Sequence, residues 1–281
     1  MKSKYLFIWI AFLVFGQSLY ASNNLFVQDS IKTCADCHAD LVGKKRKHAP
    51  VEESCENCHS ATGVTHPGES KGFELADRSP ALCFYCHEAY EQKNIHAPVE
   101  MGECSACHET HSSENRSLLL VSKEKLCFEC HDSDLKKGKS IHAPVEMNSC
   151  EDCHTAHESE YKSLLVADKS TLCFTCHDNV QGEITSKHPH AVAVDDCFTC
   201  HFSHSSEYEK LLVEQSKSLC YMCHGDIEEA TRNSKFVHAV MNDENACSKC
   251  HSPHGSGERG MILEQEKELC LSCHGRTYTT E

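Results

Sequence analysis

Hydrophobic residues in this chain are scattered thinly, with one exception at the start. Residues 5–15 form an eleven-residue apolar run behind Lys2 and Lys4. Small and polar residues follow, with a cut placed after Ala21. A basic start, a short apolar stretch and small residues at the cut predict a secretory signal peptide over residues 1–21. The run is too short to span a bilayer comfortably, which leaves a retained anchor as the weaker alternative. No other apolar run approaches membrane length, so no transmembrane segment is expected after cleavage. Further along, the apolar positions gather in short groups such as Leu118-Leu119-Leu120-Val121 and Leu164-Leu165-Val166. These groups have no evident strand partners and read as packing segments. Residues 122–127 suit a helical turn or two, and the prolines of the His-Ala-Pro segments disfavour helix there. Little regular secondary structure is expected: short α-helices and long loops.

What breaks the polar background is a five-residue pattern, Cys-x-x-Cys-His. It occurs eleven times and uses all 22 cysteines. The copies are Cys34, Cys37 and His38; Cys55, Cys58 and His59; Cys83, Cys86 and His87; Cys104, Cys107 and His108; Cys127, Cys130 and His131; Cys150, Cys153 and His154; Cys173, Cys176 and His177; Cys197, Cys200 and His201; Cys220, Cys223 and His224; Cys247, Cys250 and His251; Cys270, Cys273 and His274. This is the attachment signature of c-type haem. Two thiols add to the two vinyl groups of one porphyrin, and the adjacent His lies under the iron as proximal ligand. Zinc sites need four ligands, and eleven pairs leave one over. Neither zinc nor a disulfide framework gives a reason for a His after every second cysteine. The cofactor reading is eleven haem c groups.

The other histidines fit the same chemistry. Eleven lie outside the motifs: His48, His66, His96, His111, His142, His157, His188, His190, His204, His238 and His254. One lies in each gap between successive motifs, except the seventh gap, which holds His188 and His190. They are the candidate distal ligands, one per haem. Met101, Met147 and Met241 stand near some of them and read as packing residues.

Successive motifs begin 21 to 28 residues apart. Segments this short cannot build an apolar core of their own, so porphyrins must form most of it. A longer period of two motifs is also visible. A box such as Ile95-His96-Ala97-Pro98-Val99-Glu100-Met101 recurs at Ile141 to Met147 and, more loosely, at His48, His190 and His238. Each box precedes a motif. In four of five units a trailing His follows that motif by three residues, then an apolar group, then a Leu-Cys motif. Five two-haem units result, over residues 48–87, 96–131, 142–177, 188–224 and 238–274. A leading single-haem segment covers 22–47, and a tail 275–281. Each unit holds two spare histidines and can satisfy its own irons; the alternative is a shift of ligands by one haem along the chain. The first unit departs, with His66 seven residues after His59. In the fourth, alignment makes His190 the ordinary ligand and His188 the extra one.

This unit resembles the doubled Cys-x-x-Cys-His multihaem cytochrome family over essentially the whole mature chain. The resemblance implies closely spaced, low-potential bis-His haems and electron transfer without bond-making chemistry. The trailing His also resembles that of periplasmic pentahaem donors of nitrite reduction, and of decahaem cytochromes seated in an outer-membrane porin. Eleven motifs set this chain apart from both. The partners implied are redox proteins: quinol-oxidising membrane cytochromes, terminal reductases, or a porin with an outer-surface cytochrome.

Charge excludes one class of partner. The net charge is −15. Loss of Lys2 and Lys4 leaves 25 basic against 42 acidic residues, or −17. Ionised haem propionates would lower this to about −28 in the oxidised state. Nucleic acid is therefore not an expected partner. The expected function is electron transfer after export, in the periplasm, at the outer membrane or outside the cell. The alternatives are a filament subunit and a reductase with one open iron, for which the Cys34 haem is the first candidate.

Overall fold

The computed structural model describes residues 33–68 and 71–275. The apolar run at 5–15, the cut after Ala21 and tail residues 276–281 lie outside the described residues. Contacts divide the chain into residues 1–39 and residues 40–281. In the first part, Cys34–Cys37 form one helical turn. The Thr33 N–H and hydroxyl both donate to Asp36 Oδ2, at 2.6 and 2.9 Å, and fix its start.

Residues 40–281 repeat a small set of local structures. Each motif winds into one tight turn, usually 3-10, which suits a three-residue stretch too short for an α-helix. The second Cys N–H and the His N–H both donate to the first Cys carbonyl, as with Cys107 at 3.2 Å and His108 at 3.0 Å on Cys104. The turn thus gathers two thiols and an imidazole from five residues.

The boxes do form helix, against expectation. Ala97–Glu100 and Ala143–Glu146 are single α-turns, and Ala49–Glu53 is slightly longer. Proline stands in the first turn of each, where its missing N–H has no intrahelical partner to lose. The His before each box is extended, with φ −63° and ψ 132° at His96. Counting protein atoms alone, Met101 and Met147 are 64% and 65% exposed. Their N–H groups close the box helices on Ala97 and Ala143.

Among the described residues ten strands of two or three residues pair into five antiparallel ribbons. The strands are β1 (Arg46–Lys47), β2 (His59–Ala61), β3 (Phe73–Leu75), β4 (Asn94–Ile95), β5 (Ser112–Ser113), β6 (Ser140–Ile141), β7 (Glu158–Ser159), β8 (His188–Pro189), β9 (Ser205–Ser206) and β10 (Gly255–Ser256). The β2–β3 hairpin occupies the long loop expected in the first unit. The other four ribbons join one unit to the next: β1 with β5, β4 with β7, β6 with β9 and β8 with β10. In each, the strand before a box His pairs with the strand after the next unit's trailing His. The ribbons extend into the bonds His48 N–H to His111 carbonyl, His96 to His157, His142 to His204 and His190 to His254, at 2.8–2.9 Å.

The apolar groups also find a strand partner. Leu119, Leu165, Leu212 and Ile262 each bridge to a motif histidine: His108, His154, His201 and His251. The partner is a single residue inside the motif, so no periodic pattern announces it. Between motif and bridge the chain turns through two left-handed residues, as at Ser117 and Leu118 (φ 52° and 55°). Non-glycine residues adopt that conformation only when their surroundings enforce it.

Protein atoms alone enclose little. Among the described residues the buried apolar side chains reduce to Ala246, accompanied by Ser112, Ser113, Ser159, Ser206 and Ser252. The buried serines act as pins. Ser113 and Ser159 donate from Oγ to the Leu119 and Leu165 carbonyls, each at 2.5 Å, and Ser206 does the same to Leu212. Among the described residues no helix is long and apolar enough to cross a membrane.

Candidate functional site

All 22 histidines lie at described positions. Eighteen of them form nine pairs that face each other with ring centres 6.0–6.2 Å apart and planes within 27° of parallel. The separation carries a meaning. Aliphatic or aromatic carbons in contact sit about 3.5–4.0 Å apart. A first-row metal binds imidazole nitrogen at about 2.0–2.1 Å, and two such bonds plus half of each ring account for about 6 Å. The rings are spaced for one metal atom between them.

The pairs fall into two series. Each box His faces the closing-motif His of its own unit: His48 with His87, His96 with His131, His142 with His177, His190 with His224 and His238 with His274. Each trailing His instead faces the opening-motif His of the preceding unit: His111 with His59, His157 with His108, His204 with His154 and His254 with His201. Each unit therefore pairs its closing-motif histidine from within, while its opening-motif histidine is faced from the next unit. The ribbons explain the offset, because they hold each trailing His beside the previous unit's box. His190 takes the regular place and His188 sits in β8 opposite Ser256. Among the described residues no histidine ring faces His188 or His251. His66 lies edge-on to Phe73, with centres 5.5 Å apart. The His38 N–H closes its own turn on the Cys34 carbonyl at 2.9 Å.

Hydrogen bonds select the ligating nitrogen. The Nδ1–H of His108, His154, His201 and His251 donates to the carbonyl of Ser117, Ser163, Lys210 and Gly260, at 2.8–2.9 Å. These acceptors are the first residues of the left-handed turns. The box histidines do likewise: His48, His96, His142 and His190 donate to Thr110, Ala156, Ser203 and Pro253 at 2.8–3.0 Å. A ring nitrogen facing a carbonyl must carry the proton, which leaves Nε2 as the lone-pair donor. Burial lowers the pKa of His111, His157, His201 and His204, favouring the neutral, ligating form. His254 differs, since its Nδ1–H donates to Glu183 Oε2 at 2.9 Å. The Tyr90 ring lies beside His157, 5.1 Å between centres.

The thiols are placed to match. Cys83 meets Cys104, Cys127 meets Cys150, Cys173 meets Cys197 and Cys220 meets Cys247. Each contact joins the closing motif of one unit to the opening motif of the next. Burial, then the neighbouring thiol, pushes Cys127 and Cys220 up to about 11. Within units, Cys107 lies near Cys130, Cys153 near Cys176 and Cys200 near Cys223. All 22 cysteines are free of disulfides. Among the described residues no three His, Cys, Asp or Glu side chains form a cluster that could hold a metal ion.

The sequence reading missed the carbonyl acceptors, the serine pins, Tyr90 and Glu183. Only the pins left a signal: a Ser two residues after the trailing His, at Ser113, Ser159, Ser206 and Ser256.

Paired imidazoles across a metal-sized gap, each pair including the His of a Cys-x-x-Cys turn, define a multihaem c-type cytochrome. The residues fit the group: thiols for the porphyrin, Nε2 atoms for the iron. The chain belongs to the doubled CXXCH motif (Paired_CXXCH_1) family, whose model matches residues 48–92, 96–136, 142–182, 190–229 and 238–278. Ten motifs lie within these matches and imply covalently bound haem c. No curated protein matches the chain.

Proposed function

We propose that the chain binds eleven haems c and carries electrons along them in sequence order. The observation that carries this reading is the ordered placement of consecutive motifs beside one another. First cysteines meet between units, Cys83 with Cys104, Cys127 with Cys150, Cys173 with Cys197 and Cys220 with Cys247, and within units Cys107, Cys153 and Cys200 lie near Cys130, Cys176 and Cys223. Bound haem supplies a one-electron ferric/ferrous couple. The protein fixes its neighbours, its two imidazoles and its surroundings. Two His ligands fill an iron and leave no place for substrate, and they lack the potential-raising effect of an axial Met. Saturated sites in series suit a conductor better than a catalyst.

The residue 1–21 signature supports export, and haem attachment outside the bacterial cytoplasm agrees with it. The periplasm is the favoured compartment, with an outer-membrane or extracellular location as the variant. The partners are redox proteins with basic contact patches, which complement a chain of net charge −15.

The test is haem stoichiometry joined to voltammetry of the purified holoprotein. About eleven haems per chain by mass, all exchanging electrons with an electrode at low potential, is the expected result. Fewer than ten haems, or most of them redox-silent, contradicts the reading.

A further inference from the structure

Four junctions between units are built alike, and a fifth set of the same groups lies open. At each junction the trailing segment of the following unit supplies four things. Its histidine faces the opening-motif histidine, as His204 faces His154. The carbonyl of that histidine takes the box N–H, as His204 takes His142 at 2.9 Å. The preceding carbonyl takes the box Nδ1–H, as Ser203 takes His142 at 3.0 Å. The next two residues pair with the strand before the box, as β9 pairs with β6.

The last unit presents every group that such a segment would meet. His251 is poised like His108, His154 and His201, its Nδ1–H held by the Gly260 carbonyl at 2.8 Å. Among the described residues no imidazole faces it, and neither the N–H nor the Nδ1–H of His238 meets an acceptor. Phe236-Val237 stands where β1, β4, β6 and β8 stand, and among the described residues no strand pairs with it. Phe236 is 85% exposed and Val237 43%. His188, the surplus histidine, is held in β8 against Ser256.

We propose that this end of the array is a docking site for a second polypeptide, and that the partner inserts a trailing-histidine strand of the form x-His-x-Ser. Its imidazole completes the iron at Cys247 and Cys250, and its backbone extends the Phe236–His238 edge. This is strand addition to an open edge, with a metal bond as the anchor. The occupant is another doubled-motif cytochrome rather than a copy of this chain. The four His-x-Ser strands of a copy, from His111, His157, His204 and His254, are already engaged in its own junctions. The remaining histidine of trailing type, His66, is followed by Pro67, which lacks the N–H a ladder needs. The inference rests on the haem reading and places an open iron at the tenth motif.

The test uses the full-length holoprotein at concentrations where it sediments as a monomer. The probe is a synthetic peptide of residues 202–208, Phe-Ser-His-Ser-Ser-Glu-Tyr. The isolated protein should show one haem in about eleven as high-spin by magnetic circular dichroism, binding one carbon monoxide per chain when reduced. The peptide should convert that haem to low-spin at one per chain and block carbon monoxide. It should bind about tenfold or more tightly than free imidazole, because main-chain bonds add to the iron bond. The same peptide carrying His204→Ala should do neither. A full haem complement with every iron low-spin and inert to carbon monoxide overturns the open position and leaves the conductor reading standing. An open iron that binds the peptide no better than imidazole overturns strand docking. A chain that takes up no haem overturns both.

Discussion

At the residue scale the working unit is an imidazole with one nitrogen tied to a carbonyl and the other aimed across a gap. The offset between series makes a sharp prediction. His204 faces His154, so His204→Ala should leave the Cys150–Cys153 haem five-coordinate and high-spin. The haem of its own unit's opening motif, at Cys197 and Cys200, should stay low-spin. Resonance Raman of the variant, with the altered haem assigned by a paramagnetic NMR shift, checks this. Glu183 gives a second prediction. A carboxylate accepting from His254 Nδ1–H makes that ligand more electron-rich than a carbonyl does. Glu183→Gln should raise the potential of the haem at Cys197 and Cys200, faced by His254, and leave the others unchanged in a potentiometric titration. The motif histidines and their candidate partners were legible in the sequence because cysteine spacing is a covalent requirement. Glu183 was not legible, since it reaches His254 from 71 residues away in sequence.

At the element scale, very short ribbons carry the register of the whole array. Two-residue strands are weak alone, so each junction leans on a serine, buried in three of the four, that pins the trailing strand to the apolar segment. Ser159 is 3% exposed, donates to the Leu165 carbonyl and accepts from the Tyr161 N–H at 2.9 Å. Ser159→Ala leaves both groups without that partner and should cost about 1–3 kcal/mol, read by denaturant unfolding of the holoprotein with haem absorbance as probe. The two-motif repeat was legible as spacing and boxes. The strand role of Leu119, Leu165, Leu212 and Ile262 was hidden because each pairs with one motif residue, a ladder too short for alternation. The box helices were hidden because proline disfavours helix in general yet suits its first turn.

At the largest scale, the motifs of residues 40–275 that follow one another in sequence are neighbours in space. Closing motifs meet the next opening motif through their first cysteines, and each unit borrows a ligand from its successor. Such an array is cooperative by construction, since one unit's iron depends on the next unit's fold. The surface adds steering: with net charge −15, a cationic mediator should reduce the protein faster than an anionic one of equal driving force. The ratio of the two rates should shrink as ionic strength rises toward about 1 M, where the screening length is about 3 Å. Stopped-flow reduction over a salt series reads this directly. A ratio independent of salt contradicts acidic steering.

A haem-bound structure that resolves the axial ligands decides whether the ligand ladder is offset between units. Iron is expected between His59 and His111, His108 and His157, His154 and His204, and His201 and His254, with box histidines on closing-motif irons. Trailing histidines found on the irons of their own units, His111 with His108 or His157 with His154, would contradict it.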